Sequence, residues 1–190
     1  MFIQTEATPN PATLKFLPGK TVIESGSADF RNPEVASNSP LALRLFEIPG
    51  VTGVFFGYDF VTITKEGADD EGFDWAHLKP AILGAIMEHY NSGDPAIIDE
   101  DAPSTDVGEF FDEADGQIVD TIKELLETRV RPAVAQDGGD ITFQGFKNGI
   151  VYLQMKGACA GCPSSTATLK HGVQNLLRHF IPEVEEVEAI

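Results

Sequence analysis

A short acidic segment in the middle of the chain most strongly constrains its fold. Residues 92–116 contain nine acidic and no basic residues, mixed with Pro, Gly and Ser and without a sustained hydrophobic period. Because like charges repel and no apolar face is available to bury, the segment is predicted to be a flexible acidic linker. It divides the chain into two predicted domains, residues 1–91 and 117–190. The apolar pairs at 97–98 and 110–111 are exceptions, expected to dock on a domain or to begin the next helix.

The overall charge excludes one class of partner. The chain carries 30 acidic and 13 basic residues, a formal net charge of −17, and about half of that excess lies in the linker. A nucleic-acid-binding protein needs a basic face that displaces counterions, so no nucleic-acid partner is predicted. No apolar stretch approaches the roughly 20 residues needed to cross a bilayer, so no membrane association is predicted either.

Strand and helix signals alternate before the linker. Residues 13–17 are typical of a strand that runs into a turn, and the β-rich runs 51–56 and 60–64 predict a hairpin. Ser39 followed by Pro40 predicts the start of a helix. A second, amphipathic helix is predicted by apolar residues three or four positions apart: Trp75, Leu78, Ile82, Ile86 and Tyr90. This order indicates a compact α+β domain.

A second α+β pattern follows the linker. A helical stripe runs through residues 118–130, and Pro132 is expected to kink or end that helix. The dipeptide Asn148-Gly149 predicts a tight hairpin between strands at 141–146 and 150–155. A last helix is predicted around residues 169–180, with 184–187 as a candidate closing strand. The fold class is therefore α+β, with a C-terminal antiparallel sheet covered by helices and a loop that holds the cysteines.

The chain has only two cysteines, Cys159 and Cys162, in a C-x-x-C arrangement. Cys159 is predicted in a loop after a strand and Cys162 at the start of a helix, with Pro163 as its first residue. Gly157 and Gly161 are expected to relieve backbone crowding around the two sulfurs. The helix start is expected to lower the thiol pKa, which favours the thiolate that binds metal.

The spacing alone leaves three interpretations open: a shared metal or cluster site, thiol–disulfide exchange, and inert cysteines. Exchange is disfavoured because the motif follows a hairpin late in its domain, and because the aromatic residue that often shields a redox pair is missing. An iron–sulfur cluster or a structural zinc usually needs about four protein ligands, so a single chain with two thiols would have to share the site with a second copy.

The cysteine segment resembles the C-terminal domain of the NifU proteins. Residues 157–166 read GACAGCPSST and are followed by Thr168, Leu169 and Lys170, close to that family's signature, and the resemblance extends from Asp137 to Leu177. Residues 1–90 resemble the N-terminal domain of the Nfu scaffold and carrier proteins. The matching segments are 5–6, 8–11, 14–16, 39–42, 45–46 and 53–56.

The resemblance implies a 4Fe-4S cluster that bridges two subunits through Cys159 and Cys162. It also implies a non-enzymatic carrier that receives the cluster from donors and delivers it to apo iron–sulfur proteins. The N-terminal residues lack the pattern of a secretory signal or a transit peptide, which predicts a bacterial cytoplasm, or the mitochondrial matrix if the chain is a processed eukaryotic form. Two alternatives remain, a thiol–disulfide oxidoreductase and a zinc-stabilised dimer.

The other polar residues considered as candidates are mostly predicted to be turn or surface residues. Asp137 and Asp140 resemble a carboxylate pair, but the glycines between them favour a turn. Lys156 and Lys170 flank the cysteines and either offset the charge of a cluster or are plain surface lysines. All four histidines are predicted to be solvated on helices: His77, His89, His171 and His179.

Overall fold

A computed structural model describes residues 1–67, 72–98, 108–161 and 163–190. The chain divides into two compact units, Met1–Ser104 and Thr105–Ile190, each with its own hydrophobic core. Among the described residues, no helix combines the length and apolar character that crossing a bilayer requires. The predicted α+β class is confirmed in both units.

The N-terminal unit is a five-stranded antiparallel sheet that packs against two helices. Its elements are β1 (Gln4–Ala7), β2 (Thr13–Leu17), β3 (Ala28–Phe30), α1 (Pro40–Phe46), β4 (Val51–Phe56), β5 (Val61–Lys65) and α2 (Trp75–Ser92), with a short 3₁₀ turn at Pro33–Ala36. The strand order is β1-β2-β5-β4-β3. Apolar residues of β2, β4 and β5 meet those of both helices in one core, including Phe16, Ile63, Leu45 and Ile82.

Local signals in the sequence correctly located the helix starts and the hairpin of this unit. Ser39 caps α1, because its Oγ accepts a hydrogen bond from the backbone N–H of Ala42 at 3.1 Å, and Pro40 is the first helical residue. The predicted hairpin corresponds to β4 and β5. The predicted amphipathic helix is α2, whose buried side chains include Leu78, Ile82 and Ile86.

His89 on α2 is a correction to the sequence analysis. It was predicted to be solvated, but its side chain is fully buried, and among the described residues neither ring nitrogen has a hydrogen-bond partner. Burial and the nearby Arg44 lower the pKa of His89, and Asp94 opposes them. His89 lies three positions after Ile86 and seven after Ile82, so the helical period places it on the apolar face of α2, and that signal outweighs the polar character of the residue.

The C-terminal unit places a three-stranded sheet against helices. Its elements are α3 (Gly116–Leu125), a π-helical segment (Leu126–Val130), α4 (Arg131–Gln136), β6 (Gly139–Lys147), β7 (Ile150–Gly157), α5 (Pro163–Phe180) and β8 (Glu186–Ala189). A 3₁₀ turn at Glu113–Asp115 precedes α3. The hairpin β6–β7 is antiparallel as predicted, and its turn places Asn148 and Gly149 at φ values of 52° and 77°. β8 pairs with β7 in parallel, so the sheet is antiparallel only within its hairpin.

Pro132 alters its helix without ending it. The helical path continues from α3 to α4, and the π-helical segment immediately precedes the first turn of α4, which contains Pro132. Proline lacks an N–H and its ring clashes with the carbonyl four residues earlier, so a local widening of the helix accommodates it. The interruption therefore lies where the sequence predicted a kink.

Both ends of the predicted linker contact a unit. On the N-terminal side, Ser39 Oγ donates to the Ala96 carbonyl at 2.6 Å, and the Ile98 N–H donates to the Asn38 carbonyl at 2.8 Å. On the C-terminal side, Phe110 pairs with the outer edge of β6 beside Gly145. Residues 99–107 lie outside the described residues, so the linker and the domain boundaries 1–91, 92–116 and 117–190 stay predictions.

The segment 109–111 forms what we call the edge strap on β6. The Phe110 N–H donates to the Gln144 carbonyl at 3.0 Å, and its own carbonyl accepts from the Phe146 N–H at 2.9 Å. The Phe110 ring lies over Gly145, where an added Cβ would come within 2.4 Å of it. The strap thus covers part of the edge strand β6 at its β-bulge. This part of β6 lies toward the end of the sheet away from the cysteine loop.

Candidate functional site

The cysteine loop joins β7 to α5, as the sequence predicted. β7 ends at Gly157, Cys159 lies in the following turn, and α5 begins at Pro163. Gly157 and Gly161 have φ values of 65° and 81°, in the left-handed region that residues other than glycine rarely adopt, so the backbone conformation at both positions favours glycine. Their predicted role in relieving crowding around the two sulfurs stays a prediction. Cys162 lies outside the described residues, so the convergence of the two sulfurs stays a prediction.

Hydrogen bonds to residues before and after it hold the backbone around Cys159. The Ala158 N–H donates to the Gly138 carbonyl at 3.2 Å, which ties the loop to the turn between α4 and β6. The Ala160 N–H donates to the Gly157 carbonyl at 3.1 Å and closes the turn itself. On the other side, Thr166 Oγ1 of α5 donates to the Cys159 carbonyl at 3.1 Å. The loop is thus fastened to elements that precede and follow it.

Gly139 is a site residue that the sequence analysis missed. A Cβ at this position would lie 2.8 Å from Cys159 Sγ and 2.7 Å from the Lys156 carbonyl oxygen, closer than real Cβ contacts allow. Both glycines of the Gly138-Gly139 pair were predicted to be turn residues. Gly138 fits that interpretation with a φ of 81°, whereas Gly139 begins β6 and provides room for the sulfur.

The electrostatic environment of Cys159 differs from the expectation. The residue is buried, with 7% of its surface exposed, and it belongs to the core of the C-terminal unit. Burial raises the pKa of the Cys159 thiol to about 12, and the charges of Asp137 and Asp140 contribute in the same direction. The predicted lowering of the thiol pKa is therefore wrong for Cys159. Coordination to a metal ion would reverse the preference, because a cation stabilises the thiolate. For Cys162, the residue predicted at the helix start, the lowering stays a prediction.

Asp140 has a structural role and is not part of an acid–base pair. Its carboxylate accepts from Arg131 Nε and Nη2, both at 2.8 Å, and from the Ile141 N–H at 2.8 Å. This bidentate contact raises the pKa of the Arg131 guanidinium, and Glu127 adds a further ion pair on the same side chain. The pair anchors the start of α4 to the start of β6, beside the cysteine loop.

The two flanking lysines differ from each other. Lys156 is buried, so its interpretation as a surface residue is wrong, and it lies directly opposite Asp140 in the β6–β7 register. Lys170 on α5 is partly exposed and has its Nζ 3.7 Å from Glu186 Oε1 of β8. His77, His171 and His179 are exposed, as predicted. Within the described ranges, no three His, Cys, Asp or Glu side chains are grouped so that they could hold a metal ion.

Two family models match the chain, one in each unit. Residues 3–93 match the family described as "Scaffold protein Nfu/NifU N terminal", and residues 122–188 match the "NifU-like domain". The second match contains the whole cysteine loop, Gly139 and Thr166. Residues 94–121, which include the edge strap, lie between the two matches.

Curated relatives are similar along the whole chain. The human protein named "NFU1 iron-sulfur cluster scaffold homolog, mitochondrial" is 53% identical over 190 residues, which cover 100% of this chain and 72% of that protein. The Arabidopsis thaliana "NifU-like protein 4, mitochondrial" is also 53% identical, over 99% of this chain and 65% of that protein. A solution structure of a NifU-like protein from Saccharomyces cerevisiae is similar over 53% of this chain and 87% of its own, at 31% identity and a TM-score of 0.46.

The family is established by the length and the level of this similarity. More than half of the residues are identical to those of the human protein, over all of this chain and more than two thirds of that protein. The two family models account separately for the N-terminal sheet and for the cysteine loop with its helix. The chain belongs to the Nfu family of iron–sulfur cluster scaffold proteins.

Proposed function

We propose that this protein is a non-enzymatic carrier that binds a 4Fe-4S cluster through Cys159 and Cys162 of two subunits and transfers it to apo-proteins. The observation that carries the proposal is the number and position of its thiols. The chain has two cysteines, three positions apart in the sequence, whereas a cluster usually takes about four cysteine ligands. Two copies related by a two-fold axis would supply the full set, so the proposed holo-protein is a homodimer around its cargo.

The surroundings of Cys159 support a role as a ligand. Its backbone is fastened to the start of β6 and to α5, and Gly139 leaves space at its sulfur. Ligands held by neighbouring hydrogen bonds lose less conformational freedom when they bind. A cluster shared between subunits is also released when the subunits separate or when competing thiols arrive, which suits a protein that passes its cargo on.

Thiol–disulfide exchange, the predicted alternative, is less well supported. An attacking cysteine needs an accessible thiolate, and Cys159 is buried with a raised pKa. A zinc-stabilised dimer would use the same four thiolates and is tested alongside the cluster.

The N-terminal unit supplies a different part of the proposed function. Its 1–104 segment contains no cysteine, so we assign it the recognition of client apo-proteins or cluster donors. The relatives named above are mitochondrial, which supports the matrix as the site of action if the chain comes from a eukaryote. For a bacterial source, the cytoplasm stays the prediction.

Anaerobic reconstitution of the full chain tests the proposal. Iron, sulfide and zinc are assayed together with the mass in solution, and the expected product is a dimer with about two irons and two sulfides per chain. Cys159→Ala and Cys162→Ala should each abolish cluster binding while the circular dichroism of the apo-protein stays unchanged. Ala160→Ser, a change within the same loop that keeps both thiols, is the matched control.

Three results would contradict the proposal. A cysteine variant that keeps the visible iron–sulfur absorbance would remove that residue from the ligand set. A monomeric holo-protein with a full complement of iron and no external thiol would exclude the shared site. Zinc at about one per dimer without iron would favour the structural metal site.

A further inference from the structure

Thr166 forms a hydrogen bond that is unusual for a threonine within a helix. Its Oγ1 donates to the carbonyl of Cys159, seven residues earlier, at 3.1 Å. Threonine hydroxyls in helices commonly bond to the carbonyl four residues earlier, and two others here do so: Thr121 to Gln117 at 2.9 Å and Thr128 to Glu124 at 2.7 Å. Thr166 therefore reaches out of its own helix and into the cysteine loop.

The contact restrains a loop that would otherwise have considerable freedom. Gly157 and Gly161 lie on either side of Cys159, both at positive φ, and glycine has more accessible backbone conformations than any other residue. The Ala158–Gly138 hydrogen bond fastens the start of the loop to the α4–β6 turn. The hydroxyl of Thr166 fastens Cys159 to the first turn of α5, which begins one residue after Cys162 in the sequence.

We propose that Thr166 is a positioning residue for the iron–sulfur site. Its hydroxyl holds the backbone of Cys159 at a set distance from the first turn of α5, so that this ligand is arranged before the cluster arrives. The inference rests on the proposed function and adds a residue to it. Because the Thr166 proton is donated to a carbonyl, the residue acts through Cys159 and is not itself a ligand.

A pair of substitutions isolates the hydroxyl. Thr166→Val keeps the size and branching of the side chain but removes the donor, and Thr166→Ser keeps the donor. Thr121→Val is the matched control, because it makes the same chemical change on α3 to an ordinary hydrogen bond within its helix. All variants are made in the full chain and reconstituted anaerobically with iron and sulfide.

The main readout is the rate at which the cluster is lost to an excess of an iron chelator. We expect Thr166→Val to lose its cluster about three to ten times faster than the parent, the change that loss of one hydrogen bond of ordinary strength predicts. Thr166→Ser should stay within about twofold of the parent, and Thr121→Val should not differ from it. In the apo-protein, hydrogen exchange at the Ala160 amide should be faster in Thr166→Val but not in Thr166→Ser.

The failure of this inference can be distinguished from the failure of the proposed function. If the parent binds a cluster and Thr166→Val retains it for as long as the parent does, Thr166 has no positioning role and the carrier function stands. If Thr166→Ser loses the cluster as fast as Thr166→Val, the hydroxyl is not the group responsible. If the parent takes up no cluster at all, both proposals are wrong. Should Thr166→Val misfold, Thr166→Ala is compared with Thr166→Ser by the same two measurements.

Discussion

The two units differ in where they bury their polar side chains. In the N-terminal unit several of these residues lie on the paired strands β2 and β5, among them Lys15 and Thr62, while Ser39 begins α1 and His89 lies near the end of α2. In the C-terminal unit, Asp140 and Lys156 are paired at the end of the β6–β7 hairpin that leads into the loop of the buried Cys159, and Gln144 lies farther along β6. The C-terminal unit thus buries an acid, a lysine and a thiol close together beside the cysteine loop.

The burial of polar groups has an energetic cost in both units. A buried polar or charged group costs free energy unless it is paired, so most such groups in a folded protein have a compensating contact. Ser39 finds its contacts by capping α1, and Lys15 pairs with Glu6 at 3.3 Å. At the hairpin end the Arg131–Asp140 pair stabilises the framework against which the Cys159 loop is held. Substitutions at that end should therefore affect both stability and cluster retention, and those in the N-terminal unit should affect stability alone.

The largest expected effect on stability comes from Asp140→Asn. It removes the charge from a carboxylate that is 8% exposed and takes away the bidentate partner of Arg131, itself 28% exposed, which keeps its ion pair with Glu127. We expect the free energy of unfolding of the C-terminal unit to fall by about 2–3 kcal/mol, somewhat less than for a fully buried pair. Hydrogen exchange of the β6 amides measures the change for this unit separately.

The matched control for that change lies in the other unit. Glu88→Gln breaks the ion pair between Arg44 and Glu88, in which the glutamate is 75% exposed, and should cost at most about 0.5 kcal/mol. If the two substitutions cost the same, the distinction between an anchoring pair and a surface pair fails.

A smaller effect is expected from Gly139→Ala. The new methyl group would overlap Cys159 Sγ and the Lys156 carbonyl, which should destabilise the C-terminal unit by about 1–2 kcal/mol and speed the loss of cluster. Gly172→Ala on α5 is the control, because a Cβ there meets nothing within 4 Å and should stabilise the helix by up to about 1 kcal/mol. Equal tolerance of both changes would show that the sulfur does not need the space at Gly139.

Phe110→Ala tests the edge strap, at the opposite end of β6. The ring is 39% exposed, so its removal should cost only about 1 kcal/mol, and exchange at the Phe146 amide, which donates to the Phe110 carbonyl, should become faster. Cluster retention should not change, since the strap lies at the other end of the sheet. Phe2→Ala, at a position 80% exposed, provides the control for loss of a surface ring. A faster loss of cluster in Phe110→Ala would mean that the two ends of the hairpin are coupled.

The smallest effect is a pH dependence in the N-terminal unit. Burial lowers the pKa of His89 below 6.5, so as the pH falls through about 6.5 the unfolded state takes up a proton that the folded state does not. Stability should therefore be complete above about pH 7.5 and decrease toward pH 5.5. Urea unfolding followed by the fluorescence of Trp75, the single tryptophan of the chain, measures it at both pH values.

His89→Leu should remove that part of the pH dependence, and His77→Leu, at an exposed position on the same helix, should retain it. An unchanged pH profile in His89→Leu would contradict the assignment of this pH dependence to His89.

Most of the secondary structure could be predicted because its signals are local. Ser39 and Pro40 mark the start of α1, and Asn148-Gly149 marks the hairpin turn, since each residue type suits the backbone conformation found there. The direction of β8 could not be predicted in the same way, because pairing beside β7 is decided by how α5 returns the chain to the sheet. The apolar pair at 110–111 was expected to dock on a domain or to begin the next helix, and it docks on the sheet of the C-terminal unit. Which strand it contacts could not be predicted, because its partners lie more than 30 positions further along the chain.

The sequence by itself determined the number of thiols, their spacing and the family to which the chain belongs, because these depend only on residue identity and order. It also determined that a four-thiolate site would need a second copy. Only the tertiary structure decided that Cys159 is buried, that Gly139 must lack a side chain and that Thr166 reaches the Cys159 carbonyl. These features depend on how β6, β7 and α5 pack around one loop, and packing between separate elements is not encoded in any local pattern.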